Sequence, residues 1–281
     1  IWEEGYNAVA NCNNLIANVS EASPSVFAED ELEKNMIWGE ALGLRALIHF
    51  DMLRMFAPSM LKDDGKAYIP YVDVYPTIVP SYENNKEILR KIVNDLKAAK
   101  DLLAKCDTIK ENKHWMSTEN RMLAVNSGTS GELAKDVFFA YRGYRMNYYA
   151  IVAALARVYY WEGEYELAYK EAKEVVEATY PYGSKPESCF NFVEYSSLGT
   201  NLKDYNSIIM CFFNKTLQED YIPYITRGNQ TLFILDSDNI FADNKEQDRR
   251  FLLQTGSYNS NAYSLKYDIK LGQDGSDMVP G

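Results

Sequence analysis

The sequence predicts a mainly α fold: helix pairs of tetratricopeptide type, with a loop-rich, partly irregular region and few short strands. Three observations predict it. Ile88, Leu89, Ile92, Val93, Leu96, Ala99, Leu102 and Leu103 recur at 3.6-residue spacing, the single apolar stripe of a packed helix. Between Tyr148 and Ala178, Ala153, Ala154, Leu155 and Ala156 precede Gly163, and Tyr165, Ala168 and Ala172 follow it. Small alanines let two helices approach closely, and a glycine permits the tight reversal between them. After residue 181 the texture changes to short apolar runs separated by Asn-, Asp- and Gly-rich turns.

The elements follow in order. A helical pattern over Glu3 to Val19 places Tyr6, Val9, Ala10, Leu15 and Ile16 near one face, and Ser23-Pro24-Ser25 closes it. Ala28 to Ala57 reads as one long helix, with Glu29, Asp30 and Glu31 favouring the positive end of its dipole and Pro58 stopping it. Tyr68-Ile69-Pro70-Tyr71-Val72 is extended, because residues before proline avoid the helical region. Asn84 or Asn85 caps the next helix. Cys106 to about residue 144 is a long insertion, although helical character is expected to resume near Leu133 and to run through Trp161. A second helix, Tyr165 to Ala178, ends at Pro181 and Gly183, and Ser207 to Phe213 is a strand candidate. The expected organisation is one domain, a helical core over 1–180 with the 181–281 region packed on it.

Bulk properties exclude several classes. The 281 residues are 47% hydrophobic and 25% charged, the composition of a folded globular chain. No apolar run is long enough to be a membrane-spanning helix. With 29 basic and 40 acidic side chains the net charge is −11, which disfavours a nucleic-acid binder or a polybasic membrane surface. Tyrosine is abundant, at 22 residues, and a ring with a polar tip suits both helix packing and sugar contact. Cys12, Cys106, Cys189 and Cys211 show no metal spacing and leave the disulfide state open. The chain opens without a signal peptide or an initiating Met and reads as part of a longer protein.

The order of short motifs carries a resemblance. Gly39-Glu40-Ala41, Leu44-Arg45-Ala46, His49-Phe50 and Leu53 form a first block, followed by Ile69-Pro70-Tyr71-Val72. Ile92, Asp95-Leu96 and Ala99 follow, then Ala156-Arg157-Val158-Tyr159, Gly163 and Ala168, with Trp2, Tyr6 and Asn13-Asn14 opening the series. This succession resembles the SusD/RagB family over about residues 1–180 and thins to Asp248-Arg249-Arg250 and Tyr263 to Lys270. The resemblance implies a non-catalytic, surface-exposed outer-membrane lipoprotein that captures glycans, or in some branches peptides. Its partner would be a SusC-like TonB-dependent transporter, and its membrane link an N-terminal lipid anchor absent from this chain. A tetratricopeptide protein–protein scaffold is the further alternative.

The candidate site residues rest on their chemistry. Trp115, with Asn112, His114, Ser117 and Asn120 around it, is the first choice for a sugar-stacking ring. Tyr75, Tyr82, Tyr205, Tyr221 and Tyr224 also fall in expected loops. Ala41, Arg45, Ala46, Ala153, Ala156, Arg157, Gly163 and Ala168 are assigned to the helix pairs, the arginines as ties between neighbouring helices. His49 is expected as a packed core residue, and neither His49 nor His114 has a partner at metal spacing. Asp236, Asp238, Asn239 and Asp243 could gather around calcium, but Phe241 stands where the EF-hand pattern needs glycine, so no cofactor and no metal are expected. Gly128 to Gly131 lacks the lysine of a phosphate loop, and Glu162 with Glu164 is an acidic pair of the kind that 40 carboxylates produce by accident.

Overall fold

The structure is a computed structural model, and it describes residues 1–77, 79–123, 136–192, 205–226, 233–248, 251–252 and 255–264. The chain divides into two compact units, Ile1–Phe190 and Asn191–Gly281. The texture change read at residue 181 therefore precedes the division by about ten residues.

The first unit is built on α1 (Trp2–Glu21), α2 (Asp30–Phe56), α3 (Asn85–Asp107), α4 (Tyr148–Glu162) and α5 (Tyr165–Val176). The stripe on α3 is the centre of the core: Ile88, Leu89, Ile92, Leu96, Ala99 and Leu103 have no exposed surface. Asn84 caps α3 by accepting from the Glu87 N–H at 3.0 Å, and Asn147 caps α4 by accepting from Ala150 at 3.0 Å. Gly163 ends α4 at φ +88°, a left-handed conformation that glycine adopts without strain, and α5 starts two residues later. α2 is long and nearly uniform in hydropathy around its circumference because it is covered on several sides. It buries Met36, Ala41, Leu42, Ala46, Phe50, Met52 and Leu53 among α1, α3 and α4.

Two antiparallel hairpins attach to these helices. β1 (Ala67–Pro70) pairs with β2 (Tyr82–Asn84), and β3 (Thr179–Tyr182) pairs with β4 (Lys185–Ser188). Pro181 and Gly183 thus belong to the second hairpin, after α5 has ended at Val176. The second unit holds α6 (Leu217–Ile225), β5 (Ile234–Leu235), α7 (Ser237–Phe241), β6 (Thr255–Tyr258) and β7 (Asn261–Ser264). Its three strands form an antiparallel sheet in the order β5-β7-β6.

Two expectations are corrected. Residues 136–147 are not helical continuation: they form short 3-10 turns, with Tyr141 at φ +55°, and α4 starts only where Asn147 can cap it. Ser207 to Phe213 is not a strand; Phe212 and Phe213 are 59% and 78% exposed. An apolar run becomes a strand only when a partner edge takes its backbone groups, and the sheet of this unit is made from other segments.

Candidate ligand-binding site

Three helices converge on one extended segment, Pro70 to Asp73. Arg45 on α2 donates to Asp95 on α3 through Nε–Oδ2 and Nη2–Oδ1, both 2.7 Å. Its third nitrogen, Nη1, donates to Asn13 Oδ1 on α1 at 2.8 Å and to the Asp73 carbonyl at 3.3 Å. Asn13 donates in turn to the Val72 carbonyl at 2.9 Å, and the Tyr6 hydroxyl to the Pro70 carbonyl at 3.0 Å. Tyr71 donates its hydroxyl to Asp95 at 2.5 Å. His49 Nε2 accepts from the Val72 N–H at 3.0 Å, so the ring proton sits on Nδ1 and is donated to the Arg45 carbonyl at 2.9 Å. The His49 and Tyr71 rings stack at 4.0 Å and 22°.

Burial sets the charge states here. It drives His49 down to about 3, so the ring is neutral at physiological pH. Burial, then the Asp95 charge, hold the Tyr71 hydroxyl well above its ordinary range. For Arg45 burial alone would lower the pKa, but the bonds to Asp95 outweigh it and keep the guanidinium charged. The arrangement is a buried ion pair whose remaining donors and acceptors are satisfied, the condition under which such a pair holds one geometry.

What this clamp holds up is an exposed aromatic loop. The chain leaves Asp73 through Tyr75, joined to Pro76 by a cis peptide bond, and returns at Tyr82; the two tyrosines are 50% and 55% exposed. Tyr82 also lines an open cleft of about 500 Å³ with Glu83, Asn84, Glu87, Arg90 and Lys91. Arg90 pairs with Glu87 at 2.9 Å and Lys91 with Glu83 at 2.5 Å, so the two cations and two anions balance. A ring face beside donors and acceptors of no net charge suits a polyhydroxylated ligand with an apolar C–H face.

The other sequence-derived candidates lie elsewhere. Trp115 is a correction: it sits on a 3-10 turn, Lys113–Met116, is only 8% exposed, and packs its ring 5.5 Å from Phe139. Tyr221 and Tyr224 are on α6 rather than in a loop, despite Pro223 within that helix, and Tyr224 stacks on Phe233 at 4.6 Å. Tyr205 is half-buried in a turn. Among the helix-pair assignments, Ala41, Ala46 and Ala168 are buried, whereas Ala153 and Ala156 are half-buried. Arg45 bonds to Asn13 on α1 and Asp95 on α3, whereas Arg157 is exposed, its guanidinium 5.8 Å from the Phe50 ring centre. Asp236 caps α7 by accepting from Asn239, and Asp238 pairs with Lys245 at 2.7 Å, so both carboxylates are engaged within the protein. Among the described residues no cluster has the makings of a metal site. Cys12, Cys106 and Cys189 are buried thiols, and Cys211 is half-buried. Gly128 to Gly131, Arg249-Arg250, residues 265–270 and the Asp243 side chain lie outside the described residues.

A second buried network joins the 106–144 insertion to Glu40 of the Gly39-Glu40-Ala41 motif on α2. Arg142, fully buried, makes two 2.8 Å bonds to Asp107 and another to Glu40. Arg145 shares Glu40 at 2.7 Å, and Arg121 donates to the Met116 and Cys189 carbonyls. These partners are up to 105 residues apart. The insertion is thereby fixed to α2 and α3 from within.

The fold defines the class: a mainly α protein of paired helices with exposed aromatic rings. Residues 1–120 match the family model for SusD-like proteins, described as starch-binding and associating with the outer membrane. Among solved structures, a sugar-binding candidate from Bacteroides vulgatus is 25% identical, with a TM-score of 0.62 over 95% of this chain and 53% of that one. A SusD superfamily protein from Bacteroides thetaiotaomicron is 20% identical, with a TM-score of 0.67 over 98% and 56%. A structure holding a xylogluco-oligosaccharide is 16% identical, with a TM-score of 0.60 over 99% and 55%. The chain spans about half the length of these proteins. No curated protein matches it. Residues 1–120 carry the match to the SusD-like family model, and these solved structures share the fold of the chain.

Proposed function

We propose that the protein binds glycans without catalysis at the outer-membrane surface and hands them to a SusC-like TonB-dependent transporter, held there by an N-terminal lipid anchor. The observation that carries the reading is Tyr82, exposed beside a charge-balanced polar cleft and mounted on a clamped segment. It lies inside the 120 residues that match a family described as starch-binding and associating with the outer membrane. Binding here breaks no covalent bond. The tyrosine rings take the C–H face of a pyranose, and the Glu83, Glu87, Arg90 and Lys91 side chains exchange their mutual bonds for bonds to sugar hydroxyls. The clamp fixes Pro70 to Asp73 before the ligand arrives, which lowers the entropy lost on binding beside it. Titration with starch and xyloglucan oligosaccharides tests the reading; heat or fluorescence change with either supports it, and silence with both contradicts it.

The net charge of −11 supports a second reading, capture of cationic peptides steered by the acidic surface. A lysine-rich peptide that binds, with affinity falling as salt rises, while every glycan fails, would favour that branch.

A further inference from the structure

The first unit carries a second aromatic surface besides the one around Tyr82. α2, α4 and α5 enclose a groove of about 510 Å³, a volume within the range of small-ligand sites. Phe50 and Trp161, edge to face at 6.2 Å, form its floor. Its walls are Tyr160, Tyr165 and Tyr169, which are 68%, 63% and 66% exposed. Three large rings left this open on adjacent turns of a helix pair form a contiguous patch rather than scattered surface aromatics.

The groove is also cationic in an acidic protein. Two guanidiniums approach the same Phe50 ring, Arg54 at 5.3 Å and Arg157 at 5.8 Å. Arg54 is neutralised by Asp51 at 2.5 Å. Arg157 has no carboxylate partner among the described residues, so one positive charge stands uncompensated beside the rings. At the floor, the buried indole N–H of Trp161 meets no acceptor.

We propose that this groove is a second glycan subsite, and that it takes a carboxylate-bearing sugar, a uronic acid residue. The inference rests on reading the protein as a glycan binder. An aromatic wall fits the C–H face of a pyranose, and a guanidinium pairs with a carboxylate through two parallel hydrogen bonds. A uronic acid offers both on one ring. The balanced cleft at Tyr82 lacks the free cation, so the two sites sort acidic from neutral units.

The test is calorimetric titration of the full chain with trigalacturonate and, separately, with maltotriose. Arg157→Gln should weaken trigalacturonate about tenfold, the loss of one charge-assisted contact, and leave maltotriose unchanged. Tyr165→Ala should act in the same direction, and Tyr82→Ala should weaken maltotriose alone. The proposal is overturned if trigalacturonate does not bind, or binds the Arg157→Gln protein as tightly as the unaltered one. It is equally overturned if a hexaglutamate peptide displaces trigalacturonate at equal affinity, since the groove would then read charge and not sugar. Loss of maltotriose binding in every protein, with the Arg157 effect on trigalacturonate intact, would sink the Tyr82 reading and leave this one standing.

Discussion

Arg45 and Asp95 face each other through two parallel 2.7 Å hydrogen bonds, with side chains only 7% and 14% exposed. Fifty residues apart in sequence, they join α2 to α3 and fix the strand that leads into the aromatic loop. Removing one partner strands a buried charge. Asp95→Asn is therefore expected to destabilise the protein by about 3–5 kcal/mol, and the paired change Arg45→Met with Asp95→Leu by clearly less. Urea unfolding of the unaltered protein and the two variants checks this.

His49 gives stability a dependence on pH. Its folded pKa, about 3, lies below the unfolded value near 6.5, so the unfolded chain binds the extra proton between those pH values. The contribution is complete above pH 6.5 and is lost as pH falls towards 3, at a limiting slope of about 1.4 kcal/mol per pH unit. The unaltered protein should lose about 2 kcal/mol between about pH 6.5 and about pH 5, and His49→Gln should show a flatter profile over the same range. Equal slopes in denaturant titrations at these pH values would contradict the assignment.

Close helix contact rests on two glycines of α2. A Cβ at Gly43 would stand 2.2 Å from Ile151 Cδ1 on α4, and one at Gly39 would stand 2.8 Å from Leu103 Cγ on α3. Both neighbours are packed, with no exposed surface. Gly43→Ala is expected to cost about 1–3 kcal/mol through overpacking, more than any gain in helix propensity returns. A lowered unfolding midpoint in thermal melts is the readout.

The buried cysteines should be chemically quiet. Burial pushes Cys106 up to about 12 and Cys189 up to about 11, and raises Cys12 as well. Thiolate is the reactive form, so at about pH 8 these three should resist a disulfide reagent in the native protein and react at once in urea. Mass spectrometry of the labelled peptides distinguishes the two states.

The helices are legible in the sequence because each carries its own local signal. The α3 stripe, the capping Asn84 and the turn Gly163 all act within a few residues of the structure they specify. Arg45 is legible as a tie because a charge among apolar helix positions must find a partner, although Asp95 as that partner is not. Trp115 misleads for the converse reason: its Asn- and Ser-rich neighbours look like a loop surface. Instead Asn112 and Asn120 turn inwards to bond the Cys106 and His114 carbonyls, closing the segment over the ring. What folds the insertion is Arg142 with Asp107 and Glu40, a set assembled from three distant segments, which no spacing rule can announce. Tyr75 and Tyr82 are legible as lying outside a helix because Pro70, Pro76 and Pro80 keep this stretch extended until Asn84 caps α3.

The proposed capture of neutral glycan rests on Tyr75 and Tyr82, both exposed beside the clamped segment. Titrating maltotriose into the unaltered protein and into Tyr75→Ala/Tyr82→Ala tests it most directly. The predicted result is a loss of at least about tenfold in affinity with an unchanged unfolding midpoint, since two exposed stacking contacts disappear and no core is disturbed. Equal affinity in the two proteins would contradict the claim and move the glycan to another surface.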